Sequence, residues 1–491
     1  MSARADLGNL EASGLIQIAT IEPELEYLFR HALIQEAAYA TLLKQDRRTL
    51  HQAAAETILA LHPDREAELA SVLAMHFELA GDSGRAVHYL LLAGDHALER
   101  FASKEAARFF KRASELSDPS QVEIRLSAAI GAAKAGWGYP DRDADIARLE
   151  AAIVGAEKVD QRLLSEAWFW IAFLRGQRGE RPESSPALKN ALDRGEEIAE
   201  SLNDPRASAL PKALLGAYSA FTGQLWQGAR AMQDALDVVE THGDPVSTAM
   251  ISNFLTITYA RLGEFEKADE ILERGRRVAG SSDAISRLDV EITTAAVQLE
   301  RGELDNAVKS SLACLGRAED LGAYACVVAA TTMFGAASVR KDDPVAAKAP
   351  LERGRDLSLV TNMAPMRTLI HGFLGNVKAQ LGDLPGGIAD WDTALASAGE
   401  TGDRFGEAHT FWARARAYAR GTEPEWEAAL QDFDRAIALF EAIGAKPSLA
   451  RALHDRATAL NALGRLDAAA ESDQRATELG TQLGLRDMPF A

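Results

Sequence analysis

The sequence lacks the residues and runs that mark several classes of protein. Its 491 residues include only two cysteines, Cys314 and Cys326, too few for a disulfide framework or a four-cysteine zinc site. No apolar run approaches the roughly 18 residues that a membrane-spanning helix needs. The first residues also lack the basic start and apolar stretch of a secretion signal. These absences predict a soluble protein in the reducing cytoplasm, with no membrane partner.

Basic residues are fewer than acidic ones. The chain has 53 lysines and arginines against 72 aspartates and glutamates, which gives a formal net charge of −19. A chain this acidic repels phosphate, so the charge argues against nucleic acid as a partner. The same charge favours a protein or peptide partner with a basic segment.

Motifs for catalysis and cofactor binding are also missing. The chain has no Gly-Lys dipeptide, which a phosphate-binding loop requires, and no HExxH, CxxC, GxSxG or GxGxxG motif. Asp141, Asp143 and Asp145 alternate like the start of a calcium loop. However, Ile146 stands where that loop needs glycine, and Ala152 where it needs glutamate. We therefore predict no enzymatic activity, no cofactor and no metal, with the three aspartates in a solvated loop or helix start.

What the sequence does contain is a repeat. A turn residue is followed five places later by a small residue, then by a bulky one, then by another small one. The clearest copies start at Gly223, Gly263, Gly302 and Gly382, and Asp342 takes the turn place in another. The first small residues of successive copies lie about 40 residues apart. They are Ser184, Gly228, Ala268, Ala307, Ala347, Gly387, Ala429 and Ala469.

This spacing predicts helix hairpins. Two small residues seven apart lie on one helix face, where a second helix can approach closely, and glycine at the turn can take the left-handed conformation that ends a helix. An apolar residue two places after the turn can pack as a staple, at Leu225, Phe265, Leu304, Leu384 and Leu466. A bulky and a small residue stand eight and seven places before the turn, as in Leu215-Gly216, Phe334-Gly335 and Leu374-Gly375.

Together these residues resemble the tetratricopeptide repeat over residues 66–484, with poor register at 117–161. The resemblance implies an all-α fold, a right-handed superhelical solenoid whose period of about 40 exceeds the usual ~34. Its inner helices would line a concave groove for a peptide, a protein or a small effector. The expected domains are the end of a winged-helix-like module at 1–52, the solenoid at 53–484 and a tail at 485–491. Trp168-Phe169-Trp170 is expected in the core.

The first fifty residues carry a second signal. Residues 27–31, Tyr-Leu-Phe-Arg-His, are typical of a strand running into a helix. The segment resembles the end of the winged-helix module in signal-transduction ATPases with numerous domains. In that family the matching histidine lies near the phosphates of bound ADP, so the resemblance implies that His31 is a nucleotide sensor that donates a hydrogen bond to phosphate. The alternative, favoured by the missing phosphate-binding loop, is that His31 packs a junction between modules.

The stretch from Gln35 to Tyr39 and the following residues 46–51 are most similar to proteins that join a class III adenylate or guanylate cyclase, an ATPase module and repeats. This implies a regulatory arm for signal transduction, with those modules before Met1. LuxR-type regulators are the nearest competitor, but they end in a DNA-binding helix-turn-helix, and no basic recognition helix follows Gly484. A free-standing repeat adaptor and an enzyme with a site between helices are further alternatives.

Overall fold

The structure is a computed structural model that describes residues 3–20, 26–100, 102–138, 141–242, 245–279, 284–420 and 423–488. It consists of two compact units. The first holds residues 1–93 and 115–117, and the second holds residues 94–114 and 118–491. We call them the N-terminal unit and the repeat unit. Of the predicted tail at 485–491, residues 489–491 lie outside the described part.

The N-terminal unit starts with a helix and a β-hairpin. Strands β1 and β2 are antiparallel, with Ile16 opposite Phe29 and Ile18 opposite Tyr27, so the predicted strand running into a helix at residues 27–31 is confirmed. The predicted module boundary after residue 52 falls within α3 and stays a prediction. The elements are α1 (Ala3–Ala12), β1 (Ile16–Thr20), β2 (Glu26–Phe29), α2 (Ala32–Thr41), α3 (Lys44–Leu61), a 3-10 turn (Pro63–Arg65), α4 (Glu66–Ala80) and the start of α5 (Ser83–Glu99).

Apart from turns and loops, the described residues of the repeat unit form α-helices and a 3-10 turn (Ala156–Lys158). None of these helices is both long and apolar enough to cross a membrane. The helices are α6 (Ser103–Leu116), α7 (Val122–Gly136), α8 (Arg142–Ala152), α9 (Gln161–Gln177), α10 (Pro186–Leu202), α11 (Pro205–Phe221), α12 (Leu225–Thr241), α13 (Pro245–Leu262), α14 (Phe265–Ala279), α15 (Ala284–Arg301), α16 (Leu304–Leu321), α17 (Tyr324–Arg340), α18 (Pro344–Val360), α19 (Arg367–Gln380), α20 (Leu384–Thr401), α21 (Arg404–Arg420), α22 (Trp426–Ile443), α23 (Lys446–Ala462) and α24 (Leu466–Leu483).

From α9 to α24 the helices form hairpins arranged in two layers. Each odd-numbered helix packs against the next odd-numbered one. Each even-numbered helix from α10 to α22 packs between the odd-numbered helices on either side of it, and α24 packs against α23. We call the odd-numbered helices α9 to α23 the inner helices and the even-numbered helices α10 to α24 the outer helices. The predicted α-solenoid of helix hairpins is confirmed.

The turn residues break the helices where the sequence predicts. Gly223, Gly263, Gly302 and Gly382 have φ between +79° and +99°, a backbone conformation that only glycine adopts without strain. Asp342, with φ of +59°, takes the same place in its own hairpin. Tight turns of one kind therefore join the two helices of each of the five hairpins from α11–α12 to α19–α20.

A glycine on each of two inner helices makes room for the bulky residue of the outer helix. A Cβ added to Gly335 would overlap the Leu351 side chain, and one added to Gly375 would overlap the Trp391 ring. Both Leu351 and Trp391 are fully buried. The glycine of the inner helix and the bulky residue of the outer helix therefore form one contact, which packs the two helices of the hairpin together.

In the copy that begins at Gly179, the bulky residue Leu188 and the second small residue Ala191 are buried in α10 as predicted, but the first small place is wrong. Ser184 is exposed in the loop before α10, so it is not a helix-contact residue. The helix begins two places later because Pro186 occupies its first position and the Ser185 hydroxyl accepts a hydrogen bond from the Leu188 backbone N–H at 3.2 Å.

The predicted staple holds in some hairpins only. Leu225 and Phe265 are buried at the starts of α12 and α14. Leu384 and Leu466, in the same places of α20 and α24, are 39 % and 66 % exposed. In those two outer helices the first residue faces solvent, so the staple prediction is wrong there.

Residues 117–161, where no repeat register was predicted, contain α7 and α8. These two helices pack together as a hairpin, and α8 has 11 residues. Asp141 stands at the N-cap of α8, and Asp143 and Asp145 lie in its first turn, which confirms a helix start. Asp145 is not solvated, because its side chain is buried and pairs with Arg148.

Successive superhelical turns of the repeat unit touch one another. Three backbone hydrogen bonds join residues about 185 positions apart, which is between four and five repeats of this solenoid. They run from the N–H of Ala325 to the oxygen of Gly138 (3.3 Å), from Ala364 to Gln177 (3.0 Å) and from Arg486 to Arg301 (2.9 Å).

Two of the inner helices, α17 and α19, are buried on every side along much of their length. Every residue from Ala325 to Val339 in α17, and from Thr368 to Val377 in α19, is buried. The predicted concave groove is therefore not open along these two helices.

Candidate functional site

A cavity of about 140 Å³ lies between inner helices and the next superhelical turn. The C-terminal halves of α9, α11 and α13 form one side of it, and Pro365, Met366 and Thr401 form the other. The hydrogen bond from the Ala364 N–H to the Gln177 oxygen holds the two sides together. The cavity is thus a product of superhelical closure.

Apolar side chains make up most of the cavity wall. Phe173 and Leu214 are buried, while Phe254, Ile257 and Met366 are half-buried around the opening. The rings of Phe173 and Phe254 meet edge to face, with 6.5 Å between their centroids. Such a wall favours an apolar ligand group.

Tyr218 supplies a neutral polar group to the same wall. Its hydroxyl donates a hydrogen bond to the Ala172 carbonyl oxygen at 3.3 Å, and burial raises the pKa of Tyr218 above its ordinary value. The hydroxyl lies where a Cβ on Gly176 would stand. Glycine at that position is therefore what lets the ring take this place.

Glu180 is the carboxylate of the cavity wall, and its charge is compensated. It accepts hydrogen bonds from Arg175 at 3.0 Å and from the Ser185 hydroxyl at 2.6 Å. Arg178 lies 3.7 Å from it. Glu180 is therefore engaged within the protein.

Arg261, in the last turn of α13, is the cation of the wall and has no direct counter-ion among the described residues. Its Cζ lies 4.0 Å from the centroid of the Phe405 ring. Burial lowers the pKa of Arg261, and the carboxylates of Asp403 and Glu300 attract it only at longer range. This leaves a half-buried guanidinium beside an apolar cavity.

A second group of charges, which is largely buried and which we call the clasp, is formed by Arg340, Arg451 and Asp487. The Asp487 carboxylate accepts from Arg451 Nε at 3.1 Å and also pairs with Arg340. Despite burial, these two arginines hold the pKa of Asp487 far below its ordinary value. Arg451 also donates to the Glu300 carbonyl oxygen at 2.7 Å, so the clasp ties the C-terminal residues to α15, α17 and α23.

The residues singled out in the sequence analysis are not among those that line the cavity. His31 is exposed at the N-cap of α2 and makes no side-chain capping hydrogen bond, and its sensor role stays a prediction. Phe169 and Trp170 are buried in the core as expected, with Trp168 half-buried. In the described part of the chain, no three histidine, cysteine or carboxylate side chains are grouped as metal ligands are.

Sequence reasoning missed Arg261. It stands two places before the turn glycine Gly263, where no repeat signature marks a functional residue. Its surroundings, Met366 and Phe405, lie more than 100 positions further along the chain. No local pattern carries that information, because superhelical closure alone brings these residues together.

Comparison with known proteins identifies the fold. The Rap protein complexed with Competence and Sporulation Factor matches with a TM-score of 0.57 and 15 % identity, over 74 % of this chain and 99 % of that one. The Rap conjugation gene regulator of plasmid pLS20 with the Phr* peptide gives 0.49 and 13 %, over 74 % and 96 %. The apo quorum sensor NprR from B. thuringiensis gives 0.46 and 15 %, over 73 % and 99 %.

The repeat unit has a tetratricopeptide-like fold. At 15 % identity the similarity shows the fold alone. No family model matches the sequence, and no curated protein matches it.

Proposed function

We propose that this chain is a non-catalytic scaffold that binds a protein or peptide segment at the cavity between its superhelical turns. The observation that supports this most is the apolar wall of the cavity. Three successive inner helices and the next superhelical turn contribute side chains to it. The solved Rap protein of the same fold is complexed with the Competence and Sporulation Factor, which adds support by analogy. The net charge of −19 favours a segment that is basic outside the cavity.

We also infer that the scaffold is the regulatory arm of a signalling ATPase or nucleotidyl cyclase. The support is the N-terminal unit, where Leu28, Leu33 and Leu43 are 56 %, 78 % and 72 % exposed. Exposed apolar side chains are found at contact surfaces, and an attached module would cover these three. His31 lies in this region and would be the nucleotide sensor of an attached ATPase module. A ligand in the cavity would regulate that module only by preferring one of its states.

Panning a displayed random peptide library against the full chain tests the scaffold role. We expect an enriched family of peptides whose affinity falls at least tenfold in Ile257→Asp, since this substitution places a charge in the apolar wall. Glu270→Gln, on the exposed face of α14, is the control and should bind normally. No enriched peptide, or one that ignores Ile257→Asp, contradicts the scaffold role.

The regulatory role is tested by the coding sequence immediately before the Met1 codon. An in-frame module with a phosphate-binding loop supports it. An unrelated upstream region contradicts it and leaves the scaffold role standing.

A further inference from the structure

The cavity has the volume of a site for one small ring. An engineered apolar cavity of about 150 Å³, lined by leucine, isoleucine and phenylalanine, binds benzene. The cavity here, at about 140 Å³, has a similar size and a similar wall of phenylalanine, leucine and isoleucine side chains. This volume suits a phenyl ring or a branched aliphatic group.

Arg261 adds an unsatisfied charge to this apolar site. A guanidinium that is partly withdrawn from water without a paired anion is destabilised, and Arg261 is half-buried. The carboxylates nearest to Arg261 have other partners. Asp403 accepts the Gly406 backbone N–H at 2.8 Å, and Glu300 lies 3.9 Å from Arg451. A ligand carboxylate would therefore meet guanidinium donors that have no hydrogen-bond acceptor among the residues that the structure describes.

The contact with Phe405 prepares Arg261 for such a ligand. A guanidinium stacks on an aromatic ring through its flat face, and the Cζ lies 4.0 Å from the ring centroid. The N–H groups at the edge of the guanidinium then stay available, in the fork that matches a carboxylate with two parallel hydrogen bonds.

We propose that the cavity binds an apolar group of about phenyl size that carries a carboxylate. The apolar group would lie among Phe173, Phe254 and Met366, with the carboxylate on the Arg261 guanidinium. This rests on the proposed function, because it names the chemistry bound at the same cavity. A small aromatic acid and the terminal residue of a peptide both have this chemistry.

Calorimetric titration of the full chain with 3-phenylpropionate and with 3-phenylpropanol tests the inference. We expect the acid to bind at least tenfold more tightly than the alcohol, since only the acid can pair with Arg261. In Arg261→Gln the acid should lose at least tenfold in affinity while the alcohol binds as before. Arg277→Gln, which removes an exposed arginine of α14, is the matched control and should change neither.

Equal affinity of the intact chain for acid and alcohol overturns the inference, and this result needs no variant to fold. Acid binding that survives Arg261→Gln overturns it too. A peptide ending in phenylalanine, with a free or an amidated C-terminus, separates the two sources. If the free-ended peptide binds more tightly than 3-phenylpropionate, the source is a peptide; if the acid binds more tightly, it is a small molecule.

The two proposals fail differently. If library peptides bind at the cavity without a carboxylate next to an apolar group, and 3-phenylpropionate does not bind, this inference is rejected. The scaffold role then still stands. Absence of any peptide or acid binding rejects both.

Discussion

The inner and outer helices of the repeat unit are specified by different parts of the chain. In the outer helix α14 the buried residues, among them Ala268, Leu272 and Gly275, lie on one side, and the exposed residues are charged. In the inner helix α17, every residue from Ala325 to Val339 is buried. An outer helix therefore follows the local period of an amphipathic helix, whereas an inner helix is covered by partners from distant repeats as well as by its neighbours.

The two layers also differ in how they use charge. Exposed or half-buried ion pairs join successive outer helices, and each pair places an arginine 34 positions after a glutamate: Arg274 with Glu240, Arg353 with Glu319 and Arg475 with Glu441. The inner layer instead holds the buried clasp. Since exposed pairs contribute little and broken buried pairs cost much, the stability of this solenoid should depend far more on the clasp.

Breaking the clasp should have the largest effect. Asp487→Ala leaves Arg340 and Arg451 buried without their shared carboxylate, and we expect it to lower the free energy of unfolding by about 3–5 kcal/mol. Urea denaturation followed by circular dichroism measures this. Asp434→Ala, which removes the exposed partner of Arg456, is the control and should cost less than about 1 kcal/mol. Equal losses in the two variants would show that the clasp contributes no more than a surface pair.

The pH dependence of Asp403 should be the next largest effect. Burial raises the pKa of Asp403 from 3.8 to about 6. Between these values the folded chain binds the proton more tightly than the unfolded chain, so the contribution of Asp403 to stability falls as pH rises, by up to about 3 kcal/mol. The lowered pKa of Asp487 has the opposite sign, with stability lost as pH falls below the ordinary pKa.

Comparing the unfolding free energies of the intact chain and Asp403→Asn from pH 4 to pH 7 checks this. The free energy of unfolding of the variant should rise relative to that of the intact chain as pH rises, because asparagine has no charge to bury. A difference that is constant with pH, or that changes in the other direction, would contradict the assignment.

Overpacking a hairpin should cost less. A Cβ on Gly387 would lie 2.8 Å from the Gly375 carbonyl oxygen, so Gly387→Leu should push α19 and α20 apart and cost about 1–3 kcal/mol. Gly399→Leu is a matched control on the same helix, where a Cβ would meet no atom within 4 Å. Similar melting temperatures for the two variants would show that the predicted register is wrong in this hairpin.

The smallest effect should come from the outer ion pairs. A double-mutant cycle on Arg353 and Glu319, whose charged atoms lie 2.7 Å apart, should give a coupling of about 0.2–1 kcal/mol. Added salt should weaken it further. A coupling above about 2 kcal/mol would remove the distinction between the layers.

The sequence specifies the hairpins well because their signals are local. Turn residues such as Gly223 and Asp342 and small residues such as Ala268 act on neighbours within one hairpin, and the structure places them as predicted. The prediction for Ser184 is wrong because the helix in its copy begins later, at Pro186. The cavity could not be predicted, since Arg261 and Met366 meet through superhelical closure, which depends on the summed geometry of four to five repeats.

Zero-length carbodiimide cross-linking tests most directly whether successive superhelical turns touch. Lys446 Nζ lies 3.8 Å from a Glu264 carboxylate oxygen, with more than four repeats of chain between them. At submicromolar concentration, digestion and mass spectrometry should find an amide bond between these two residues within one chain. Cross-links of Glu264 to its neighbour Lys267, 3.1 Å away, without any to Lys446, would contradict the contact between turns.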